Sequence, residues 1–432
     1  MAAHIKTIKQ KIGSGKIMKK NSTQLAFSIA AALASTTALA DSDTQKLEQQ
    51  LHDLQKEFSD LKKSSIFNLE FGGRVQVDYN YFEGAYNADN GGDPSSDFFP
   101  RRIRTYVESE HGDWDHKLLL DFAEGAGEIV LARVRYNGFD NGLKVQVGKL
   151  REDISLNALT SSKYINTISR SSVANSMSPF FQWGASAYQY FKDTGFRYAV
   201  GAYKNEAFGA NGRNNDDGSL ALSLTGRLTW QQDLQNGVLH LGSWYSKRDM
   251  GGRLLTESFA RGEIRNTNTR LVNYAAGGNL VSLNSLQQAG LEAAYQYKGL
   301  TVEAEYAARE LNTVDPTSIL DGELYDGYSL SASYFLDGFQ KQYSKGSAVF
   351  KQPKGVKNAW ELVARLSGTD ATSSTQGTEI TTYTLGTSYY YSSQVKYMAN
   401  LIYSEVDGPG ANDLVGDEDN GLGFTARIQY LF

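Results

Sequence analysis

Cysteine is absent from the 432 residues, which excludes a disulfide framework, thiol catalysis and thiolate zinc sites. Long apolar runs are missing as well. Past residue 40 no window approaches the ~18 apolar residues a spanning helix requires, and mean hydropathy is negative, so a bundle of membrane helices is excluded. Histidine is scarce and scattered: His4, His52, His111, His116 and His240. His111 and His116 flank a short turn, only His240 falls mid-strand, and no serine nucleophile context surrounds it, which argues against a barrel hydrolase. The net charge of −5 is too mild to suggest a nucleic-acid partner, and no cofactor is expected. What the chain has in abundance is tyrosine and glycine, 26 and 42 against six prolines. Such a chain can still cross a membrane if apolar and polar residues alternate along tilted strands.

The first forty residues read as an export signal. Met18-Lys19-Lys20 opens a basic segment, Leu25 to Leu33 is a short apolar core, and Ala38-Leu39-Ala40 supplies a small-x-small cleavage pattern, with residues 1–17 as an upstream extension. Segment 41–65 follows with Leu47, Leu51, Leu54, Phe58 and Leu61 at heptad spacing. Barely three heptads are marginal alone. Two readings stand: a periplasmic coiled-coil stalk joining subunits and able to touch the cell wall, or a solitary amphipathic helix on a barrel rim.

From residue 71 the period becomes two. Val75, Val77, Tyr79 and Tyr81 share one face, while Arg74, Gln76, Asp78 and Asn80 share the other, as in a strand between lipid and water. The pattern recurs near 71–81, 102–110, 115–123, 129–136, 142–149, 183–191, 196–203 and 220–231. It continues near 237–247, 288–298, 300–310, 326–336, 358–367, 380–391, 395–404 and 423–432. The expectation is an all-β, 16-stranded antiparallel transmembrane β-barrel over 66–432, in the bacterial outer membrane, with a short N-terminal coiled-coil helix. Turn residues close alternate pairs, as at His111-Gly112-Asp113, Asn236-Gly237 and Lys298-Gly299. The other pairs are joined by longer stretches such as 82–101, 150–182, 204–219 and 248–287. One link, 337–357, should be short and is not: either that periplasmic connection is elaborated or the count is off by a pair. The chain ends on an alternating strand, Phe424 to Phe432, that resembles an outer-membrane assembly signal.

A barrel of this size leaves an aqueous lumen, and a lipid-facing charge would cost roughly 2–4 kcal/mol at the midplane. Strand arginines should therefore point inward. The alternation predicts Arg74, Arg102, Arg104, Arg133, Arg135 and Lys144 on the luminal face, tempered by Asp78, Glu108 and Asp121. Segment 248–287 adds Arg248, Arg253, Arg261, Arg265 and Arg270. Segment 150–182, long enough to fold inward as a constriction, adds Arg151, Lys163 and Arg170. Arg101, Arg102 and Arg104 lack nearby acids, with Arg101 expected at the outer end of its strand. Arginine rings suit an anion pore, because the guanidinium stays charged and grips oxyanions through a planar fork. The alternative is that these arginines pair with luminal carboxylates and hold the wall together.

Laid out in this way, residues 71–432 resemble the phosphate-selective porins of the O and P type. The similarity is carried by Phe99-Pro100-Arg101-Arg102, Tyr136-Asn137-Gly138-Phe139, Val147-Gly148-Lys149, Thr160-Ser161-Ser162-Lys163-Tyr164 and the ending Arg427-Ile428-Gln429-Tyr430-Leu431-Phe432. The resemblance implies a homotrimer with one pore per subunit, and an arginine ladder leading to a phosphate-binding constriction that includes Arg101 and Arg102. The family tyrosine two positions on appears as Arg104, the constriction lysine falls near Ala158, and the phosphate-positioning aspartate falls near Val130, with Glu128 a possible substitute. Small-anion passage is the expected function, with orthophosphate, polyphosphate and a broader anion range all open. A general or organic-solute porin is the alternative, and a wall-gripping structural tether is a third.

Overall fold

The computed structural model describes residues 68–209, 220–256 and 258–432, together with the single position Asp53. The expected leader and, Asp53 apart, the heptad segment lie outside the described residues.

Sixteen antiparallel strands form a closed barrel. They are β1 (Asn68–Gly84), β2 (Ser95–His111), β3 (Trp114–Asp121), β4 (Glu128–Tyr136), β5 (Lys144–Arg151), β6 (Phe181–Tyr190), β7 (Phe196–Lys204) and β8 (Leu222–Leu234). Next come β9 (Gly237–Leu254), β10 (Ser282–Tyr297), β11 (Leu300–Thr313), β12 (Leu324–Phe335), β13 (Ala359–Asp370), β14 (Glu379–Tyr390), β15 (Val395–Asp407) and β16 (Asn420–Leu431). Each pairs with its neighbours in sequence, and β16 returns to β1 with Arg427 opposite Asp78, leaving no free edge.

The alternation seen in the sequence becomes an inside-out protein. Leu291 on the outer face is 63% exposed, while its neighbour Glu292 is 3% exposed and points inward. At the short-turn end the outer surface carries Tyr297, Tyr334, Trp360, Tyr389, Tyr397 and Tyr430. Six residues along the strands from three of these, Tyr328, Tyr383 and Tyr403 form a second aromatic level with Tyr306 beside them. Six residues are about 20 Å of strand at ~3.4 Å each. Leu330, Leu385 and Leu401 fill the band between, which is the girdled apolar belt of an outer-membrane barrel.

One correction concerns a boundary, and one open question about a connection is decided. Strand β2 begins at Ser95, seven residues before the expected start, so Arg101 lies within the strand and not at its outer end. The pairing register then slips: Arg102 faces Gln76, Pro100 faces Val77, and Arg101 is the extra residue of a bulge. Pro100, which has no N–H to give a ladder, is tolerated at such a point. The unruly link between β12 and β13 is an elaborated connection, so the strand count stands. Its hairpin, Gln342–Ser344 paired with Val349–Lys351, folds into the lumen from the short-turn end. There Arg197 donates to the Gly346 carbonyl (2.9 Å), Arg227 donates to that of Ala348 (3.0 Å), and His240 Nδ1 lies 2.7 Å from the Tyr343 hydroxyl.

The lumen is largely filled from the long-loop side. Segment 255–281 sends Leu255, Ile264, Leu271, Val272 and Tyr274 into an apolar core with Leu311, Tyr325, Ile380 and Ile402 of the wall. Segment 152–180 carries two short helices, α1 (Leu156–Leu159) and α2 (Ser172–Met177), and crosses the lumen beneath it.

Candidate anion constriction

Segment 152–180 is fastened at both ends of its crossing. On one side Glu305 of β11 accepts from Ser155 Oγ (3.1 Å) and the Asn157 amide (3.2 Å). On the other, Gln76 of β1 donates to the Ser162 carbonyl (3.1 Å), Lys396 of β15 donates to that of Ile165 (3.1 Å), and Asn400 accepts from the Ile168 amide (2.7 Å). Segment 255–281 is locked onto it by Glu263, whose carboxylate accepts from the Ser172 amide (3.2 Å), Thr384 Oγ1 (3.0 Å), Ser367 and Arg365. Gly262 and Glu263 both adopt positive φ (60° and 70°), a turn that keeps Arg261 and Arg265 on the lumen side. The Tyr86 hydroxyl pins that turn through the Gly262 carbonyl (2.6 Å).

Between the two segments and the wall formed by β1, β2 and β16 lies a cavity of about 290 Å³. Arg101, Arg102 and Arg427 line it from the wall, and Arg170, Arg261, Arg265 and Arg270 from the segments. Only Asp78 and Glu263 oppose them among the lining carboxylates. Both are already neutralised, Asp78 by a two-pronged contact with Arg427 (2.6 and 2.7 Å) and Glu263 by Arg365. The bulge matters here, because strict alternation would turn one of two successive arginines to the lipid. With the extra residue, Arg101 and Arg102 both reach the cavity.

Among the described residues, Arg101, Arg102, Arg170, Arg261 and Arg265 form no ion pair with a carboxylate. Arg102 donates to the Gln76 amide oxygen (3.0 Å), and Arg170 to the carbonyls of Asn157 (3.0 Å) and Thr160 (2.8 Å), all neutral acceptors. The Nε–H groups of Arg102 and Arg261 meet no protein acceptor. The crowding shows in the loop cations. Burial, then Arg151 and Arg101, pushes the pKa of Arg170 well below its ordinary value. Burial, then Arg270 and Arg265, brings that of Arg261 down to about 10. A buried anion in their midst would relieve this repulsion.

The other expected site residues sit elsewhere. Arg74 faces the lumen below the cavity, with Nη1 3.4 Å from Ser161 Oγ and, among the described residues, no carboxylate in an ion pair with it. Lys163 packs over the Tyr164 ring (5.0 Å), its pKa lowered by burial and then by Arg74. Arg104 is paired with Asp121 (2.6 Å). Arg133 and Arg135 share Asp115 (2.5 Å each), and Arg133 also approaches Glu108 (3.4 Å). The structure therefore does not bring Arg104, Arg133, Arg135, Arg74 or Lys163 into the cavity. Arg170, expected on the infolding segment 150–182, and Arg427, not named among the expected pore residues, do line it. Arg427 was findable, since it alternates inward on the last strand opposite Asp78. For Arg170 the signal was its charge on a segment long enough to fold inward.

The profile of the family described as phosphate-selective porin O and P matches residues 69–432. The chain belongs to that family. Porin O of Pseudomonas aeruginosa is 26% identical over 406 residues, covering 85% of this chain and 89% of the relative. Among solved structures, an anion-selective porin from Comamonas acidovorans matches with a TM-score of 0.53 at 13% identity, over 85% of this chain and all of that one. OprB of Pseudomonas putida matches with a TM-score of 0.53 at 12% identity, over 84% and 94%. These two share the fold. Membership in a porin family and the girdled barrel place this chain in the bacterial outer membrane as a channel protein.

Proposed function

We propose that this chain conducts small anions passively, whether phosphate, polyphosphate or related oxyanions, and that the arginine-lined cavity is its narrow point. One observation carries the reading: Arg101, Arg102, Arg170, Arg261 and Arg265 converge on one cavity, and among the described residues none of them is in an ion pair with a carboxylate. An anion entering from the long-loop side meets Arg261, Arg265 and Arg270 first, exchanges part of its hydration for guanidinium N–H groups, and passes Arg101 and Arg102 toward Arg74. Neutral acceptors hold Arg102 and Arg170 in place without cancelling their charge, so attraction is spread over several weak stations and the ion can leave. No energy input is needed. By analogy with the family, three copies assemble as a trimer in the lipid, each with its own pore, after removal of residues 1–40. Segment 41–65 faces the periplasm, where it can meet the cell wall.

The test is planar-bilayer recording of the purified full-length protein under a potassium chloride gradient. The reversal potential should report current carried by chloride, and phosphate titrated into chloride should block it at low concentration. Current carried chiefly by potassium would overturn the proposal.

A further inference from the structure

The cavity has two unlike sides. The barrel wall gives it only polar side chains, Asp78, Asn80, Arg101, Arg102, Thr425 and Arg427. Every apolar lining residue comes from an infolded segment: Ile165, Ile168 and Phe180 from one, Ala260 and Ile264 from the other. Ala260 and Ile264 also belong to the apolar core above the cavity, which accounts for them. Ile165 and Ile168 belong to none of the apolar clusters among the described residues. Their backbones are nevertheless fixed beside the cavity by Lys396 and Asn400.

An inorganic anion gains nothing from isoleucine, which cannot replace the water the ion gives up. The cavity, at about 290 Å³, has room for roughly ten waters at ~30 Å³ each, more than a bare oxyanion head displaces. We propose that Ile165 and Ile168 form an apolar seat facing the arginines, and that the channel's preferred cargo is an organic oxyanion: a phosphate, sulfate or carboxylate head bearing a short hydrocarbon portion. The head would lie against Arg101 and Arg102 and the hydrocarbon against the isoleucines. This rests on the anion-conducting reading above.

The experiment titrates inorganic phosphate and methyl, ethyl, propyl and butyl phosphate into chloride-carrying channels at about pH 8, above the second pKa of the esters, ~6, and above the somewhat higher one of inorganic phosphate, so that all are mainly dianions. The half-blocking concentration should fall about two- to fourfold per methylene, the range from half to full burial of that group. Glycerol phosphate, of similar bulk but polar, should block less well than propyl phosphate. In an Ile165→Thr, Ile168→Thr double variant, the ratio of butyl to inorganic phosphate block, read within that variant, should flatten. A flat or rising series, equal block by glycerol and propyl phosphate, or an undiminished gradient in the double variant would each overturn the seat while leaving anion conduction standing. Absence of block by every phosphate together with potassium-carried current would overturn both.

Discussion

Two groups of arginines line the same barrel and differ in what stands beside them. Below the cavity, Arg133 and Arg135 close on Asp115 and Arg104 closes on Asp121. On the opposite wall Arg227 meets Glu292 (2.5 Å) and Arg248 meets Glu152. In the cavity, Arg102 and Arg170 donate to neutral oxygens, and among the described residues none of Arg101, Arg102, Arg170, Arg261 and Arg265 forms an ion pair with a carboxylate. The first group is wall cement. A paired guanidinium presents little net field to a passing ion, whereas an unpaired one in a narrow, poorly solvated space projects it. On the proposed reading, residue type alone does not make a pore residue; the missing carboxylate does.

The comparison breaks most visibly if charge is reversed in the unpaired group. Arg102→Glu should lower the anion-to-cation permeability ratio by about 10- to 100-fold, or invert it, since two charges change within a few ångströms of the path. Reversal potentials measure this, and an unchanged ratio would remove Arg102 from the site. In the paired group the large effect should fall on stability instead. Asp115→Asn leaves Arg135 without a counter-charge and Arg133 with only the more distant Glu108 (3.4 Å), and should cost about 3 kcal/mol, the low end for breaking a buried pair because Arg135 keeps 21% exposure. Urea unfolding in detergent micelles, followed by the loss of barrel mobility on unheated gels, reads that cost, and selectivity should hold.

A subtler variant moves a residue from one group to the other. Asp78→Asn frees Arg427 from its carboxylate at the cavity edge, and the concentration of phosphate that half-blocks chloride current should fall about 3- to 10-fold, the effect of one further charge at an effective dielectric near 20. A weaker block would mean that Arg427 does not face the path. The smallest effect is expected for Arg133→Gln, with under about a twofold change in permeability ratio, because Asp115 keeps Arg135. A change as large as that of Arg102→Glu would erase the distinction between the two groups.

The barrel was legible because a period of two forces every strand residue to one of two faces, and burial follows from the face. Arg74, Gln76, Asp78 and Asn80 turn inward as their spacing requires, and all sixteen predicted segments match strands. The start of β2 was not legible, because Pro100 looks like a strand boundary and marks a bulge. Nor could the pairing of Arg133 and Arg135 be read from one strand: Asp115 sits opposite Arg135 on β3, and only the register brings them together.

By itself, the sequence determined that this protein is a membrane barrel with its arginines turned to the lumen, since alternation and the cost of charge in lipid are local constraints. Tertiary structure decided which arginines remain uncompensated. That depends on how β1, β2 and β16 align, on a bulge that admits Arg101, and on where two loops bring Arg170, Arg261 and Arg265 across the lumen. Contacts between residues a hundred or more positions apart, such as Glu263 with Arg365 or Glu305 with Ser155, carry no periodic signal. Only the closed barrel holds them within reach of one another.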